Sequence, residues 1–277
     1  MENELENDVI AGDELENIKQ SWIAEQNEYQ ARISEKDPED WKSNFSYLGG
    51  LDISFIVGDD VNACACYVVI DTNLEVVYKD TAMVKMIAPY IPGFLAFREA
   101  TFLIDLVDAQ MKIKPEVTPT ALLVDGNGVL HPRQCGIACH IGVATGLPTV
   151  GVAKNLHQIQ EYGEQFTREN VKERFSNLNT PGEHITLATS EGKILGAALK
   201  TSANSSNPVF VSVGSGLSLA SALELVSKVS KYRVPEPTRQ ADLMSREFLR
   251  LNHPTQRQKQ QHKHIKGNKH SQDEKQL

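Results

Sequence analysis

LGGLDISFIV, residues 48–57, is the stretch on which the fold turns. It has the apolar character of a β-strand, and Asp52 interrupts it at its centre. A carboxylate held between Leu51 and Ile53 is costly unless it is protonated, paired or bound to a cation. Two further β-like runs follow, ACACYVVID (63–71) and LEVVYKDTAMVKMI (74–87). The turn-rich Asp71-Thr72-Asn73 between them predicts an antiparallel hairpin. FLAFREATFLIDLVDAQMKI (94–113) repeats its apolar residues every 3.6 positions and predicts a buried helix. TALLVDG (120–126) and LPTVGVAK (147–154) then read as strands on either side of a small-residue helix, CGIACHIGVATG (135–146), closed by Gly146.

On the N-terminal side, residues 12–35 predict an outer helix with a thin apolar stripe of Ile18, Trp22, Ile23 and Tyr29, ended by Pro38. On the C-terminal side, weaker strands at 184–190 and 193–201 and a clear one at 208–213 precede two helices. These helices are 217–232, capped by Ser218, and about 238–251. Antiparallel strands first, then parallel strands separated by helices, predict an α/β class: one mixed sheet flanked by helices, with a C-terminal extension.

The chain has 277 residues, 40% apolar and 23% charged, as in ordinary globular proteins. No run of eighteen apolar residues points to a membrane span, and MENELEND at the start is no secretory signal. Net charge is −8, which speaks against a general nucleic-acid coat protein. The charge is unevenly spread. Residues 1–20 hold seven acids and one lysine, whereas residues 252–277 hold six lysines or arginines and two acids. Residues 1–11 are expected to be a disordered acidic leader and 252–277 a basic disordered tail around one folded unit, 12–251. Cys64, Cys66, Cys135 and Cys139 fit no common zinc spacing and are read as buried free thiols. That reading and the missing signal place the chain in the cytoplasm, with the nucleus as a second compartment.

Three acids fall where chemistry needs them. Asp52 lies within the first strand, Asp125 at the C-terminal end of a parallel strand where open α/β sheets place their ligands, and Glu99 in the intervening apolar helix. If the two strands are neighbours, the aspartates converge, and Glu99 can reach them from the helix. Three hard oxygen ligands suit Mg²⁺, with Mn²⁺ as a substitute. Taken alone, Asp125-Gly126 is equally a strand-ending turn, and Glu99 beside Arg98 is equally a solvated pair.

GLDISF, PYIPGFLAFRE, LLVDGNGVLHPR, GLPTVGVAK and YRVPEPTRQAD together resemble the endonuclease V family, over about Tyr47 to Arg250. The resemblance implies a ribonuclease-H-like core over 12–251 with Asp52, Glu99 and Asp125 as metal ligands. It also implies Lys154 near the scissile phosphate, and hydrolysis of the second phosphodiester bond 3′ to inosine, leaving a 3′-hydroxyl and a 5′-phosphate. Pro89, Tyr90, Ile91, Pro92 and Gly93 match a wedge whose stiff aromatic tip enters a base stack. Gly126, Asn127 and Gly128 match a loop at the flipped base, and His131 and Arg133 match positions near the nucleic acid. Asp242 also matches a family position and is read as a structural residue or a support behind the metal ligands, more than as a ligand itself.

The eukaryotic look of the sequence implies inosine-containing single-stranded RNA as substrate, deoxyinosine DNA as a second one, and a monomer. One departure stands out. After the strand ending VSVG the family usually carries a histidine close to the catalytic centre, where this chain has Ser215-Gly216. A serine cannot replace a titratable imidazole, so the alternative function is a reader that binds inosine with weak or no cutting.

Overall fold

The sheet begins with β1 (Tyr47–Phe55), β2 (Asn62–Asp71) and β3 (Val76–Lys85), three antiparallel neighbours joined by short turns. The structure is a computed structural model and describes residues 12–41, 45–159 and 162–252. The leader 1–11 and the tail beyond residue 252 lie outside the described residues. After β3 come α2 (Leu95–Ile113), β4 (Ala121–Val124), α3 (Ile137–Thr145) and β5 (Thr149–Ala153). β4 pairs in parallel with β1 on one side and with β5 on the other. Parallel neighbours need crossover connections, and α2 and α3 supply them. β6 (His184–Ala188), β7 (Ile194–Leu199) and β8 (Val209–Ser215) close one eight-stranded mixed sheet in the order β3-β2-β1-β4-β5-β8-β7-β6. This is the mixed α/β architecture expected from the sequence.

Every residue of β2 from Ala63 to Ile70 is buried, because both faces of the sheet are covered there. α2 and α3 pack Ala96, Leu103, Val107 and Ile141 against Leu51, Ala65 and Tyr67 on one face. On the other lies α6 (Glu236–Asn252), whose Ala241 meets Cys66 and Val68. Along a strand, alternate side chains share a face. Gly50, Asp52 and Ser54 therefore point towards α6, and Leu51 towards α2. At Gly50 a Cβ would lie 2.1 Å from the Pro237 carbonyl oxygen. The missing side chain is what lets the start of α6 cross β1 so closely.

The outer helix α1 (Gly12–Ala31) ends sooner than the composition predicts. Its Trp22 stacks on Phe97 with ring centroids 4.9 Å apart, and Tyr29 stacks on His140. Gly146 closes α3 in the left-handed conformation at φ 72°, and Ser218 caps α5 (Leu219–Lys228) by accepting from the Ser221 N–H. The reading of the sequence missed α4 (Arg168–Phe175), an eight-residue helix capped by Thr167. Its signal was present but short. Val171 and Phe175, four apart, are its two buried residues. All four cysteines are free and buried.

Candidate metal centre and nucleic-acid cleft

At the C-terminal ends of the parallel strands, Asp52, Asp125 and Asp242 converge. Each offers a carboxylate oxygen, and the three lie within 4.8 Å of one another. Backbone pairing sets the first two side by side: Leu51 is registered with Val124, and the Asp125 N–H donates to the Leu51 carbonyl at 3.0 Å. Asp242 arrives on α6, whose Ser245 lies one turn further on and donates to Asp52 Oδ2 at 2.8 Å. Lys154, just past β5, reaches into the group. Its Nζ is 2.5 Å from Asp125 Oδ2 and 3.0 Å from Asp242 Oδ1.

The electrostatics follow from crowding charge at low exposure. Burial pushes the Asp52 carboxyl up to about 7, and the Asp125 charge adds to the rise against the Ser245 hydrogen bond. Burial alone would lower Lys154, but Asp125 and Asp242 outweigh it and hold the ammonium above its ordinary value. Arg246 adds a guanidinium, its Nη2 2.7 Å from Asp242 Oδ1, so two cations face three carboxylates. A set of hard oxygens in an open cleft of about 640 Å³, left with unbalanced negative charge, fits a divalent cation completed by water and phosphate.

Asp242, read from the sequence as structural or supporting more than as a ligand, belongs to the converging set, and Glu99 is not among the three acids that meet within 4.8 Å of one another. Asp52 faces α6, so the helical acid that meets it comes from that side of the sheet, and α2 packs on the other. Glu99 remains close enough to be influenced. Burial, and then the Asp52 charge, push it up to about 8 against the pull of Arg98. Ser215 pairs with Thr149 at the start of β5, while Ala153 at the other end pairs with Phe210. At about 3.3 Å per residue, position 215 lies roughly 15 Å along the sheet from the Lys154 end. Its Oγ accepts from the Ser34 N–H. The side chain at 215 therefore sits at the opposite end of the strand pair from the converging acids.

A second, smaller cavity of about 120 Å³ lies on the α2–α3 face, lined by Ile91, Asn127, His131, Cys135 and His157 among others. Burial, then the neighbouring Arg133 and His157, lower His131 to about 3, so its ring is neutral at physiological pH. Asn127 Oδ1 is buried with no hydrogen-bond partner among the described residues. Of the loop 126–128, only Asn127 lines this cavity. Gly128 answers to packing: a Cβ there would meet the Val213 carbonyl oxygen at 1.9 Å.

Arg133 faces inward. It donates through Nε to Gln26 Oε1 and through Nη2 to the Gly93 carbonyl, and lies over the Phe94 ring at 4.0 Å. It therefore braces the 89–93 loop. Gln26 of α1, which nothing in the local sequence distinguished, is buried and also donates to Gly93 and Cys135 carbonyls. Within Pro89–Gly93, Tyr90 is 68% exposed and Ile91 only 7%. Tyr90 is the projecting tip and Ile91 its anchor. Gly93, at φ 82°, makes the turn into α2. Ile87, Val57 and Phe55 add exposed apolar surface around this rim.

The family model described as Endonuclease V matches residues 27–243. Endonuclease V of Homo sapiens is 43% identical over 246 residues, which cover 87% of this chain and 86% of the human one. That of Mus musculus is 44% identical over 235 residues, 83% of this chain and 69% of its own. The crystal structure of the human catalytic domain superposes with a TM-score of 0.82 at 43% identity, covering 86% of this chain and 98% of that one. Endonuclease V of Ciona intestinalis was crystallised in complex with a 24mer DNA containing an inosine followed by a ribo-adenosine. It matches with a TM-score of 0.79 at 34% identity, covering 85% of this chain and 98% of its own.

Proposed function

The chain belongs to the Endonuclease V family and is a nuclease, and on that premise we propose that it is a magnesium-dependent endonuclease directed to inosine. The bond cut is the second phosphodiester 3′ to the inosine, in single-stranded RNA and also in deoxyinosine DNA, leaving a 3′-hydroxyl and a 5′-phosphate. The observation that carries this is the convergence of Asp52, Asp125 and Asp242 beside Lys154, at the strand ends where the sheet opens. The Ciona relative, with its inosine followed by a ribo-adenosine, supports the choice of base and a ribonucleotide next to it.

When bound, Mg²⁺, or Mn²⁺ in its place, supplies Lewis acidity at the phosphate and makes a water a better nucleophile. Asp52, Asp125 and Asp242 would hold it, with Glu99 a further ligand approaching from α2. Ser245 fixes the Asp52 carboxylate through its hydrogen bond. Lys154 holds its proton and places positive charge where the phosphate becomes more negative. The flipped base enters the cavity beside Asn127, whose unpartnered Oδ1 fits the N1–H of hypoxanthine, a donor that adenine lacks. A close-fitting wall there would exclude guanine's exocyclic amine. Tyr90 stacks in the place the base has left.

The test is cleavage of matched inosine and guanosine single strands, RNA and DNA, with Mg²⁺, alongside Asp52→Ala. Inosine-dependent cutting of RNA that disappears in Asp52→Ala is the expected result. Tight inosine-dependent binding without cutting would overturn the nuclease reading of these substrates.

A further inference from the structure

Another cavity, of about 320 Å³, adjoins the acidic cleft across Lys154, and apart from that lysine the reaction above does not use it. Its charged lining is wholly cationic: Lys154, Arg168, Lys172 and Arg233, with no carboxylate among the described lining residues. In a chain of net charge −8 that is a local reversal of sign. Arg233 is built in, its guanidinium donating to the Pro208 and Lys154 carbonyls. Arg168 and Lys172 are exposed, four residues apart on α4, and neither forms an ion pair among the described residues. Arg168 is also the first residue of its helix, where the dipole disfavours a cation, so helix stability does not account for it. Phe175 and Phe210 form an apolar floor. Cations around an aromatic floor are the chemistry that takes a nucleotide: phosphates on the rim, base or sugar below.

We propose that this cleft binds the substrate strand on the 3′ side of the cut. This rests on the function proposed above. The strand's direction follows from how the cavities adjoin. The base cavity shares Tyr90 and Leu95 with a neighbour lined by Glu99. That neighbour shares Phe55 and Val57 with the acidic cleft, and the acidic cleft shares Lys154 with the cationic one. With the inosine at one end and the cut bond at the acids, the chain leaving the acids towards the cations is the 3′ segment. It carries the new 5′-phosphate after cutting.

The test uses single-stranded RNA with one inosine, ending just beyond the cut or extended by several nucleotides on either the 3′ or the 5′ side. KM and kcat are measured with Mg²⁺ across a range of salt for the wild type and for Arg168→Gln/Lys172→Gln. Both substitutions are on exposed residues outside the catalytic set. The wild type should gain affinity from 3′ extension, and the variant should lose that gain with kcat unchanged. Each single-strand phosphate contact adds about 0.7 to the slope of log affinity against log salt, so the variant's slope should be shallower by about 1.4. A variant that keeps the gain and the slope, or a gain that follows 5′ extension alone, overturns the proposal. Fluorescence anisotropy of the same labelled strands without divalent cations reads the cleft even if nothing is cut. Absence of cutting by the wild type would count against the function, while cutting that ignores 3′ length counts only against the cleft.

Discussion

The acidic cleft and the base cavity are both built around the C-terminal end of β4, and burial acts on them in opposite directions. It raises the carboxyl of Asp52 in the cleft to about 7 and that of Glu99 in the adjoining cavity to about 8, and in the base cavity it lowers the imidazole of His131 to about 3. The cause is common to both, since low dielectric disfavours charge of either sign. The outcomes differ because the imidazole becomes neutral and hydrogen-bonds in place, whereas three converging carboxylates are incomplete without a cation. The cavity is preformed for recognition and the cleft waits for its charge balance.

The largest effect that would break this contrast is loss of an acid. Asp52→Ala and Asp242→Asn should each cost several kcal/mol of transition-state stabilisation, roughly 10³-fold or more in kcat/KM. Steady-state cleavage is the check. If Glu99→Gln is as severe and Asp242→Asn nearly silent, the ligand set is the one read from the sequence and not the one that converges.

Next in size is Tyr90→Ala, which removes the projecting ring. Base–aromatic stacking of about 1–3 kcal/mol predicts a roughly 5- to 150-fold rise in KM. Ile91→Ala should instead act through stability, because Ile91 is buried. Thermal unfolding beside KM separates the two.

The pH dependence sharpens the comparison. Asp52 and Glu99 bind their protons more tightly when folded than at their ordinary 3.8 and 4.5. Cation-free protein therefore loses stability as pH rises from about 4 to about 8, on the order of a few kcal/mol. His131 falls from 6.5 to about 3 on folding, so its contribution is lost as pH falls below about 6.5. In unfolding midpoints without divalent cations, Asp52→Asn should flatten the alkaline side and His131→Gln the acid side. Mg²⁺ should restore the wild type on the alkaline side only.

The smallest expected effect is at Ser215. Ser215→Ala should change kcat by less than about twofold, because sites this far apart act independently. Ser215→His should cost about 1–3 kcal/mol of stability by overpacking, since a Cβ on Gly142 would already lie 3.0 Å from that of Ser215. A gain in turnover from Ser215→His would overturn its placement.

Much of the fold was legible because its signals are local. The acid within LGGLDISFIV, the turn at Asp71-Thr72-Asn73 and the strand-ending Asp125 and Lys154 each state their own environment over a few residues. α4 was not legible, because eight residues with two apolar positions give little periodicity to detect. Nor was the inward turn of Ile91 beside the exposed Tyr90, which depends on Gln26 and Arg133 from distant segments.

Local patterns along the chain suffice for the succession of the eight strands, the need of Asp52 for a partner, and the strand-end positions of Asp125 and Lys154. These depend on neighbours along the chain. Which acid meets Asp52 is set by packing in three dimensions. Strand pleating turns Asp52 to the α6 face, the bare backbone of Gly50 admits the start of α6, and Asp242 and Ser245 come down beside it. The same register carries Ser215 to the far end of the sheet. Such through-space relations join residues nearly two hundred positions apart, and no local pattern in the chain encodes them.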